Sequence, residues 1–557
     1  MEGILQLKKT NCKNCHKCIR ECPVKSIRFT DNQAHIIQDE CILCGLCFVA
    51  CPQNAKLIRN DVSMAKALIA SGKKVVVSLA PSFVADFEVK SLKPMKDVLQ
   101  KLGFTDVEET AIGAQVVKKQ YEQLIAGKEM PIIISSCCHS VNLLIQKYFP
   151  EALPYLAPTV SPMLAHASLI KAANPDCYVV FIGPCISKKD EAERYGQVDC
   201  VLTFDELREW LDEEGLAIDS TADETSDSKR SRSFPTTGGI IRSMDLDLEQ
   251  FDYHSADGID NCVAVLKEII DGNLNHCFIE MSACIGSCVG GPATRVPAKT
   301  PIASANKVLK FSGRDDGEYP VAKDIPLLQD YRFIPIPTQR PGEKAIEDML
   351  IKMGKTKPED QLNCKSCGYN TCRDKAIAIL AGKASISMCL PFLLKKAQSF
   401  SDAIIGNTPN AIIVMDEKLH IQQLNPAACV LFQVADPKDL EGKSISTVLG
   451  EIEYVHALES EQNTLQHKHY LSQYNRYVDE SIIFDKEYNV VISIMRDITQ
   501  QELVTQEKER IKQHTAMITD KVIEKQMRVV QDIASLLGET TAETKIALTK
   551  LKETLLK

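Results

Sequence analysis

Between residues 61 and 345 the chain alternates short apolar runs with amphipathic stretches. Four runs, 74–79, 131–134, 178–182 and 277–279, are dominated by Val and Ile. They predict strands buried on both faces, as in a parallel sheet. Helical spacing lies between them, for example over 95–102 and 206–211. The segment 212–233 is acidic and then rich in Ser, Lys and Arg, which predicts a surface loop. Residues 397–500 alternate short strands and turns. From 501 on, Val504, Ile511, Ile518, Val522, Val529, Ile533 and Leu536 recur at helical spacing. Gly538 breaks that helix, and Thr540 or Thr541 caps a second one carrying Leu548, Leu551 and Leu555. The pattern predicts a multidomain α/β protein with segments 1–60, 61–345, 346–396, 397–500 and 501–557.

Composition narrows this picture. At 557 residues the chain exceeds one core; it is 45% apolar and 25% charged, the profile of a globular protein. A net charge of −9 disfavours a nucleic-acid partner, and no apolar run reaches the ~18 residues of a membrane span. With no signal-peptide pattern at the start, a cytoplasmic location is expected. There, clustered thiols bind metal rather than form disulfides.

Seventeen of the 22 cysteines fall into motifs. Segment 1–60 carries two copies of one run: Cys12, Cys15, Cys18 and Cys22 before Pro23, then Cys41, Cys44, Cys47 and Cys51 before Pro52. In two-cluster ferredoxins the fourth cysteine of each run ligates the other cluster. One 4Fe–4S cube is therefore expected on Cys12, Cys15, Cys18 and Cys51, and the other on Cys41, Cys44, Cys47 and Cys22. Structural zinc is the alternative, but it favours paired Cys-x-x-Cys units. The unit reads as an electron-transfer wire.

Each predicted strand ends in chemically loaded residues: Ala80-Pro81-Ser82, then Ser135-Ser136-Cys137-Cys138, then Gly183-Pro184-Cys185, and finally Met281-Ser282-Ala283-Cys284-Ile285-Gly286-Ser287-Cys288. Open α/β sheets bind ligands at the carboxyl ends of their strands. If the four strands are parallel neighbours, Cys138, Cys185, Cys284 and Cys288 converge as one set of cube ligands.

These loops resemble the signature loops of FeFe-hydrogenases, over roughly residues 1–300. The resemblance implies an H-cluster: a 4Fe–4S cube joined through a thiolate to a two-iron centre with carbon monoxide, cyanide and azadithiolate. By position it makes Cys138, Cys185, Cys284 and Cys288 the cube ligands, with Cys288 bridging. Cys137 becomes the proton-relaying thiol, Lys188 a donor to cyanide, and Ala80, Pro81 and Ser82 the azadithiolate wall. Ser161-Pro162-Met163 and Thr237-Gly238-Gly239 sit where further pocket segments are expected. The sequence departs from the family at His139, Gly183, Ser282 and Met163. It also has Gln115-Val116-Val117-Lys118-Lys119-Gln120-Tyr121-Glu122 where paired glutamates carry protons inward, leaving Glu122 or Glu191 as substitutes. Slow turnover is expected. Eukaryotic relatives in iron–sulfur assembly, which keep the cube alone, are the competing resemblance.

Cys364, Cys367, Cys372 and Cys389 resemble the small four-cysteine 4Fe–4S domain of corrinoid iron–sulfur proteins, with zinc as the alternative. Lying between the hydrogenase-like segment and the 397–500 segment, this unit is expected to carry redox state from one to the other. Residues 397–500 resemble a PAS (α+β) domain, with an exit at Asp497-Ile498-Thr499. Cys429 is read as a core thiol, His420 as an exposed strand residue and His514 as a solvated helix-face residue. The tail resembles a signalling-type helical hairpin or coiled coil that dimerises the chain, with no kinase or phosphatase module after it.

Together these features resemble sensory FeFe-hydrogenases. The implied partners are H2 and protons, ferredoxin, hydrogenase maturation enzymes and a separate kinase or phosphatase effector, in an anaerobic setting. A ferredoxin-dependent catalytic hydrogenase and a non-hydrogenase iron–sulfur scaffold are the alternatives.

Overall fold

The computed structural model describes residues 3–8, 11–219, 229–246, 248–249, 251–294, 301–317, 325–337, 341–459, 464–537 and 542–555. The chain divides into two compact units, Met1–Phe392 and Leu393–Lys557. No helix among the described residues is long and apolar enough to cross a membrane.

The first unit begins with four short strands, β1 (Leu5–Leu7), β2 (Ile27–Thr30), β3 (Gln33–Ile36) and β4 (Lys56–Ile58). β1 pairs with β4 and β2 with β3, all antiparallel. Between them lie two one-turn helices, Lys17–Glu21 and Leu46–Val49, each opened by a residue in the left-handed region, His16 and Gly45. That kink curls each cysteine run around a centre. Leu5, Ile19, Ile27 and Ile42 are buried beneath the two runs.

Seven further strands complete the first unit: β5 (Val75–Leu79), β6 (Asp106–Glu109), β7 (Ile132–Ile134), β8 (Tyr178–Gly183), β9 (Cys200–Thr203), β10 (Asp252–Asp257) and β11 (Cys277–Ser282). All their pairings are parallel. The four apolar runs are strands, but they are not four neighbours in one sheet. β5 and β8 are central in a sheet of order β6-β5-β8-β9, while β7 and β11 pair in a second sheet of order β10-β11-β7. The sequence hid the edge strands β6 and β10 because edge positions tolerate polar residues: β6 reads Asp-Val-Glu-Glu, and β10 is largely exposed. The helix expected over 206–211 is Phe204–Glu213, started by a reciprocal cap between Thr203 and Glu206.

The 212–233 segment departs from its expectation at both described ends. The helix runs on to Glu213, and Ser231, Arg232 and Ser233 are buried. Arg232 makes two 2.6 Å bonds to the Glu109 carboxylate. A paired guanidinium enters a core that its sequence context assigns to the surface. Residues 220–228 lie outside the described residues.

Helices Glu343–Lys352 and Cys372–Leu380 build the small cysteine unit around Ile346, Leu350, Met353 and Ala376. This unit packs on the N-terminal wire. The Arg20 guanidinium donates to the Ser366 carbonyl (3.1 Å), the Phe29 N–H donates to the Lys383 carbonyl (2.8 Å), and Lys383 pairs with Glu40 (2.5 Å).

In the second unit, β12 (Ala411–Asp416), β13 (Ile421–Leu424), β14 (Thr464–Leu471), β15 (Arg476–Asp485) and β16 (Val490–Asp497) form an antiparallel sheet of order β13-β12-β16-β15-β14. Cys429 is half-buried against that core, on the helix Pro426–Leu431. His420, half-buried, lies just before β13 in an isolated antiparallel β-bridge with Ser444, near Asp416 (3.4 Å). Helix Thr499–Leu537 has 39 residues and pairs with Ala542–Leu555, where Lys552 meets Asp520 at 2.8 Å. His514 is exposed on the long helix. Gly538, Thr540 and Thr541 lie outside the described residues.

Candidate metal centre and redox chain

The parallel strands end where the chemistry begins. β5 delivers Ala80, Pro81 and Ser82; β7 delivers Cys137 and Cys138; β8 delivers Cys185 and Lys188; β11 delivers Ser282, Cys284 and Cys288. All of these except Cys284 line one cavity of about 100 Å³, together with Met163, Phe181 and Glu280. The half-buried Cys284 thiol is pushed up by desolvation and then by Cys185, Cys138 and Cys288, so the four thiols share one neighbourhood. The two sheets thus meet at their carboxyl ends, which a single sheet is not required to do.

The donor set suits an iron–sulfur cube: four sulfur atoms converge, and loss of water raises the pKa of Cys138, Cys284 and Cys288 above that of a free thiol. One orphan supports a larger group. The Ser82 hydroxyl is buried at the cavity wall and has no hydrogen-bond partner among the described residues. An unpaired buried hydroxyl costs free energy unless an occupant meets it.

Cys137 stands apart from the ligand set. Burial pushes its thiol up to about 12, so it carries a proton. Tyr121, on the helix Ala111–Gly127, places its hydroxyl 3.2 Å from the Cys137 sulfur and 3.2 Å from the Ser136 hydroxyl. Lys188 donates to the Cys137 carbonyl at 3.1 Å and pairs with Glu191. Burial opposes the charge on Lys188, but Glu191, Cys185 and Cys137 outweigh it and hold its pKa above the ordinary value. Of the two substitute glutamates, Glu191 is buried beside Lys188. Glu122 accepts from the Asp245 N–H (2.9 Å) and does not line the cavity. Tyr121 was in plain view in the sequence. Its ring packs on Phe278 of β11, on the buried face of the helix.

The departures from the usual loops have local causes. His139 opens the helix His139–Tyr148 and holds Asp190 at 2.7 Å, tying two cavity loops together. At Gly183 a side chain would meet the Phe181 ring at 2.7 Å, so phenylalanine fills the space that the expected methionine would take. Met163 is buried in the cavity wall.

The other cysteines fall into sets. Burial raises Cys18, and Cys51, Cys12 and Cys15 act on it as neighbours. Cys44 is raised by burial and by Cys22, Cys47 and Cys41. These are the crossed groupings expected of a two-cluster ferredoxin. Cys44 also acts on Cys284, which brings the second set beside the cavity's four thiols. Cys364, Cys367, Cys372 and Cys389 line one small cavity with Lys375. Lys375 is fully buried, and its ammonium has no hydrogen-bond partner among the described residues. An anionic cluster on the four thiolates would satisfy that charge. Gly368 approaches Ile19 and Arg20, and Tyr369 lies within electrostatic reach of both Cys367 and Cys22. The third set therefore faces the N-terminal wire, a placement that chain order alone did not reveal.

Comparison with known proteins agrees with this division. Residues 73–292 match the C-terminal domain of the iron-only hydrogenase large subunit, 4–53 a 4Fe–4S dicluster domain, 360–391 an Fe–S cluster family, and 399–519 the PAS fold. The large subunit of the periplasmic iron hydrogenase of Nitratidesulfovibrio vulgaris is 27% identical over 256 residues, covering 35% of this chain and 61% of that one. Iron hydrogenase 1 of Clostridium pasteurianum is 25% identical, covering 40% of this chain and 50% of that protein. The cytosolic Fe–S cluster assembly factor NAR1 of Kluyveromyces lactis is 34% identical over 100 residues, covering 17% of this chain and 21% of its own. The chain thus spans less than two thirds of each of these relatives. Among solved structures, an FeFe-hydrogenase variant from Chlamydomonas reinhardtii aligns with a TM-score of 0.39 at 17% identity, covering 50% of this chain and 100% of that one.

Proposed function

For a chain that joins an iron-only hydrogenase domain to a 4Fe–4S dicluster domain, a further iron–sulfur domain and a PAS fold, we propose a hydrogen-sensing FeFe-hydrogenase of low turnover. The observation that carries this reading is the convergence of Cys138, Cys185, Cys284 and Cys288 beside the protonated Cys137 and the charged Lys188.

On this reading Cys138, Cys185, Cys284 and Cys288 hold the cube of an H-cluster. When bound, that group supplies reversible cleavage of H2 into two protons and two electrons. Lys188, fixed by Glu191, presents a cation to the anionic ligands of the group. The Ser82 hydroxyl, flanked by Ala80 and Pro81, meets its polar side. Cys137 accepts and releases the proton, and Tyr121 stands in for the absent glutamate relay as the next hydroxyl in line. A phenol titrates above neutrality and transfers a proton less readily than the carboxylate it replaces, which is the basis for expecting slow turnover. Cys41, Cys44, Cys47 and Cys22, and Cys12, Cys15, Cys18 and Cys51, would hold two 4Fe–4S clusters that supply an electron path from the cavity, and Cys364, Cys367, Cys372 and Cys389 would hold a third beside them.

The output reading rests on the PAS fold and the long helix. Val504, Ile511, Ile518, Val522, Val529 and Ile533 are exposed at spacings of 7, 7, 4, 7 and 4 residues, a stripe suited to a second copy of the helix. A homodimer, a separate kinase or phosphatase effector, ferredoxin as electron partner and a cytoplasmic setting belong to the same proposal. The scaffold alternative draws on the assembly-factor relative. Retention of Cys137, Lys188 and the Ala80-Pro81-Ser82 turn argues against it.

Hydrogen–deuterium exchange by matured protein tests the reading. Wild type is expected to exchange H2 with D2O slowly, and Cys137→Ala to lose at least about 100-fold of that rate, as removal of a positioned proton-transfer group does. Equal rates in both proteins would remove Cys137 from the route.

A further inference from the structure

The second unit holds a cluster of ligand-type side chains that none of the redox chemistry uses. His467 and His469 are two apart on β14, so both project from one face of the sheet. Glu480 on β15 lies directly opposite His467 in the antiparallel register. The two imidazoles are stacked, with centroids 4.6 Å apart and planes 16° apart. Both turn Nε2 toward the same carboxylate oxygen, Glu480 Oε2, at 3.5 Å and 3.7 Å.

Those distances are too long for good hydrogen bonds, which lie at about 2.7–3.2 Å. They are close to the separation of two donors sharing a tetrahedral ion, roughly 3.3–3.4 Å for metal–ligand bonds of about 2.0–2.1 Å. The three donor atoms lie within 4.8 Å of one another. The carboxylate is also aimed. Tyr454 and Ser493 each donate to its other oxygen, Oε1, at 2.5 Å, leaving Oε2 for the histidines. Such support of a ligating carboxylate is typical of metal sites. The Glu480 side chain is 3% exposed, whereas His467 and His469 are 25% and 30% exposed and open onto a cleft bounded by Tyr470 and Tyr474.

We propose that His467, His469 and Glu480 form a binding site for a divalent first-row transition metal ion, with the remaining coordination position open to the cleft. Two imidazoles and a carboxylate suit zinc(II) or iron(II) and select against calcium and magnesium, which prefer all-oxygen shells. The ion clips the edge strand β14 to β15, while Tyr454, which holds Glu480, sits on the neighbouring helix Ile452–Glu459. It gives the PAS-fold unit an input of its own, independent of how the cysteine clusters are assigned.

The test uses full-length protein carrying its iron–sulfur clusters, dialysed against chelator and then titrated with zinc(II). After gel filtration, elemental analysis is expected to find one more zinc per chain in wild type than in His467→Gln/His469→Gln, with equal iron in both. X-ray absorption at the zinc edge of wild type is expected to show only nitrogen and oxygen neighbours at about 2.0–2.1 Å. Tyr454→Phe, which removes one hydroxyl from the carboxylate's support, is expected to weaken zinc retention by ~10–100-fold. Equal zinc in wild type and the double variant overturns the proposal. So does a sulfur shell near 2.3 Å, which would place the metal on cysteines. The absorption measurement needs no variant, so a misfolded variant leaves it decisive.

Discussion

Replacing Lys375 with methionine isolates the electrostatics of the third cysteine set. Lys375 lies on the helix Cys372–Leu380, fully buried, facing Cys367, Cys389 and Cys372. Burial lowers its pKa and the three sulfurs oppose that shift, so an anionic cluster keeps it a cation. A nearby positive charge stabilises the reduced, more negative cluster. At an effective dielectric of ~20, unit charges roughly 5–10 Å apart interact by about 2–3 kcal/mol. For a one-electron couple that corresponds to about 100 mV. Methionine keeps the volume and removes the charge, so Lys375→Met is expected to lower the potential of this cluster by about 100 mV. An anaerobic redox titration followed by electron paramagnetic resonance measures the shift, with the two N-terminal clusters as internal references. An unchanged or raised potential in a variant that retains all its iron would refute the assignment of Lys375 as the cluster's counter-charge.

Two further outcomes concern the cavity. Tyr121→Phe removes the hydroxyl 3.2 Å from the Cys137 sulfur and leaves the ring packed on Phe278; hydrogen–deuterium exchange should slow by roughly 10–100-fold if the phenol passes the proton, with cluster iron content unchanged. Glu280 is nearly fully buried, and desolvation lifts its pKa from 4.5 to about 7 despite bonds from the Ile240 and Ile241 N–H groups. Stability from its protonated form is complete below pH about 4.5 and is lost as pH climbs through about 7. The shift is worth roughly 3 kcal/mol, so Glu280→Gln should flatten the fall in stability over that interval by about this amount. Denaturation followed through Trp210, the single tryptophan, reads the first unit directly.

The cysteine sets were legible because metal ligation fixes spacing within a loop. The nearness of Cys51 to Cys18 and of Cys22 to Cys44 matches the crossed grouping expected from the same spacing. The strands β5, β7, β8 and β11 were legible because burial on both faces leaves no room for polar residues. Their partition between two sheets was not, since strand order is set by long-range pairing that leaves little local trace. Arg232 misled for a related reason: in a Ser/Arg-rich stretch a guanidinium reads as solvated, and only its partner Glu109, more than a hundred residues away, takes it inside. The docking of the third cysteine set on the N-terminal wire depends on Gly368 and Tyr369 meeting Ile19 and Cys22, contacts between the two ends of the first unit. The His467, His469 and Glu480 cluster had a signal, the alternating His-Lys-His on a strand, but its third member comes from the neighbouring strand and is found only once the register is known.

The central claim is that Cys138, Cys185, Cys284 and Cys288 carry an organometallic centre that responds to H2. Infrared spectroscopy of full-length protein matured with the hydrogenase assembly enzymes tests it most directly. The expected spectrum holds bands of metal-bound carbon monoxide and cyanide that shift when H2 replaces argon. A protein with full complements of iron and sulfide but no such bands would contradict the account and leave an iron–sulfur scaffold in its place.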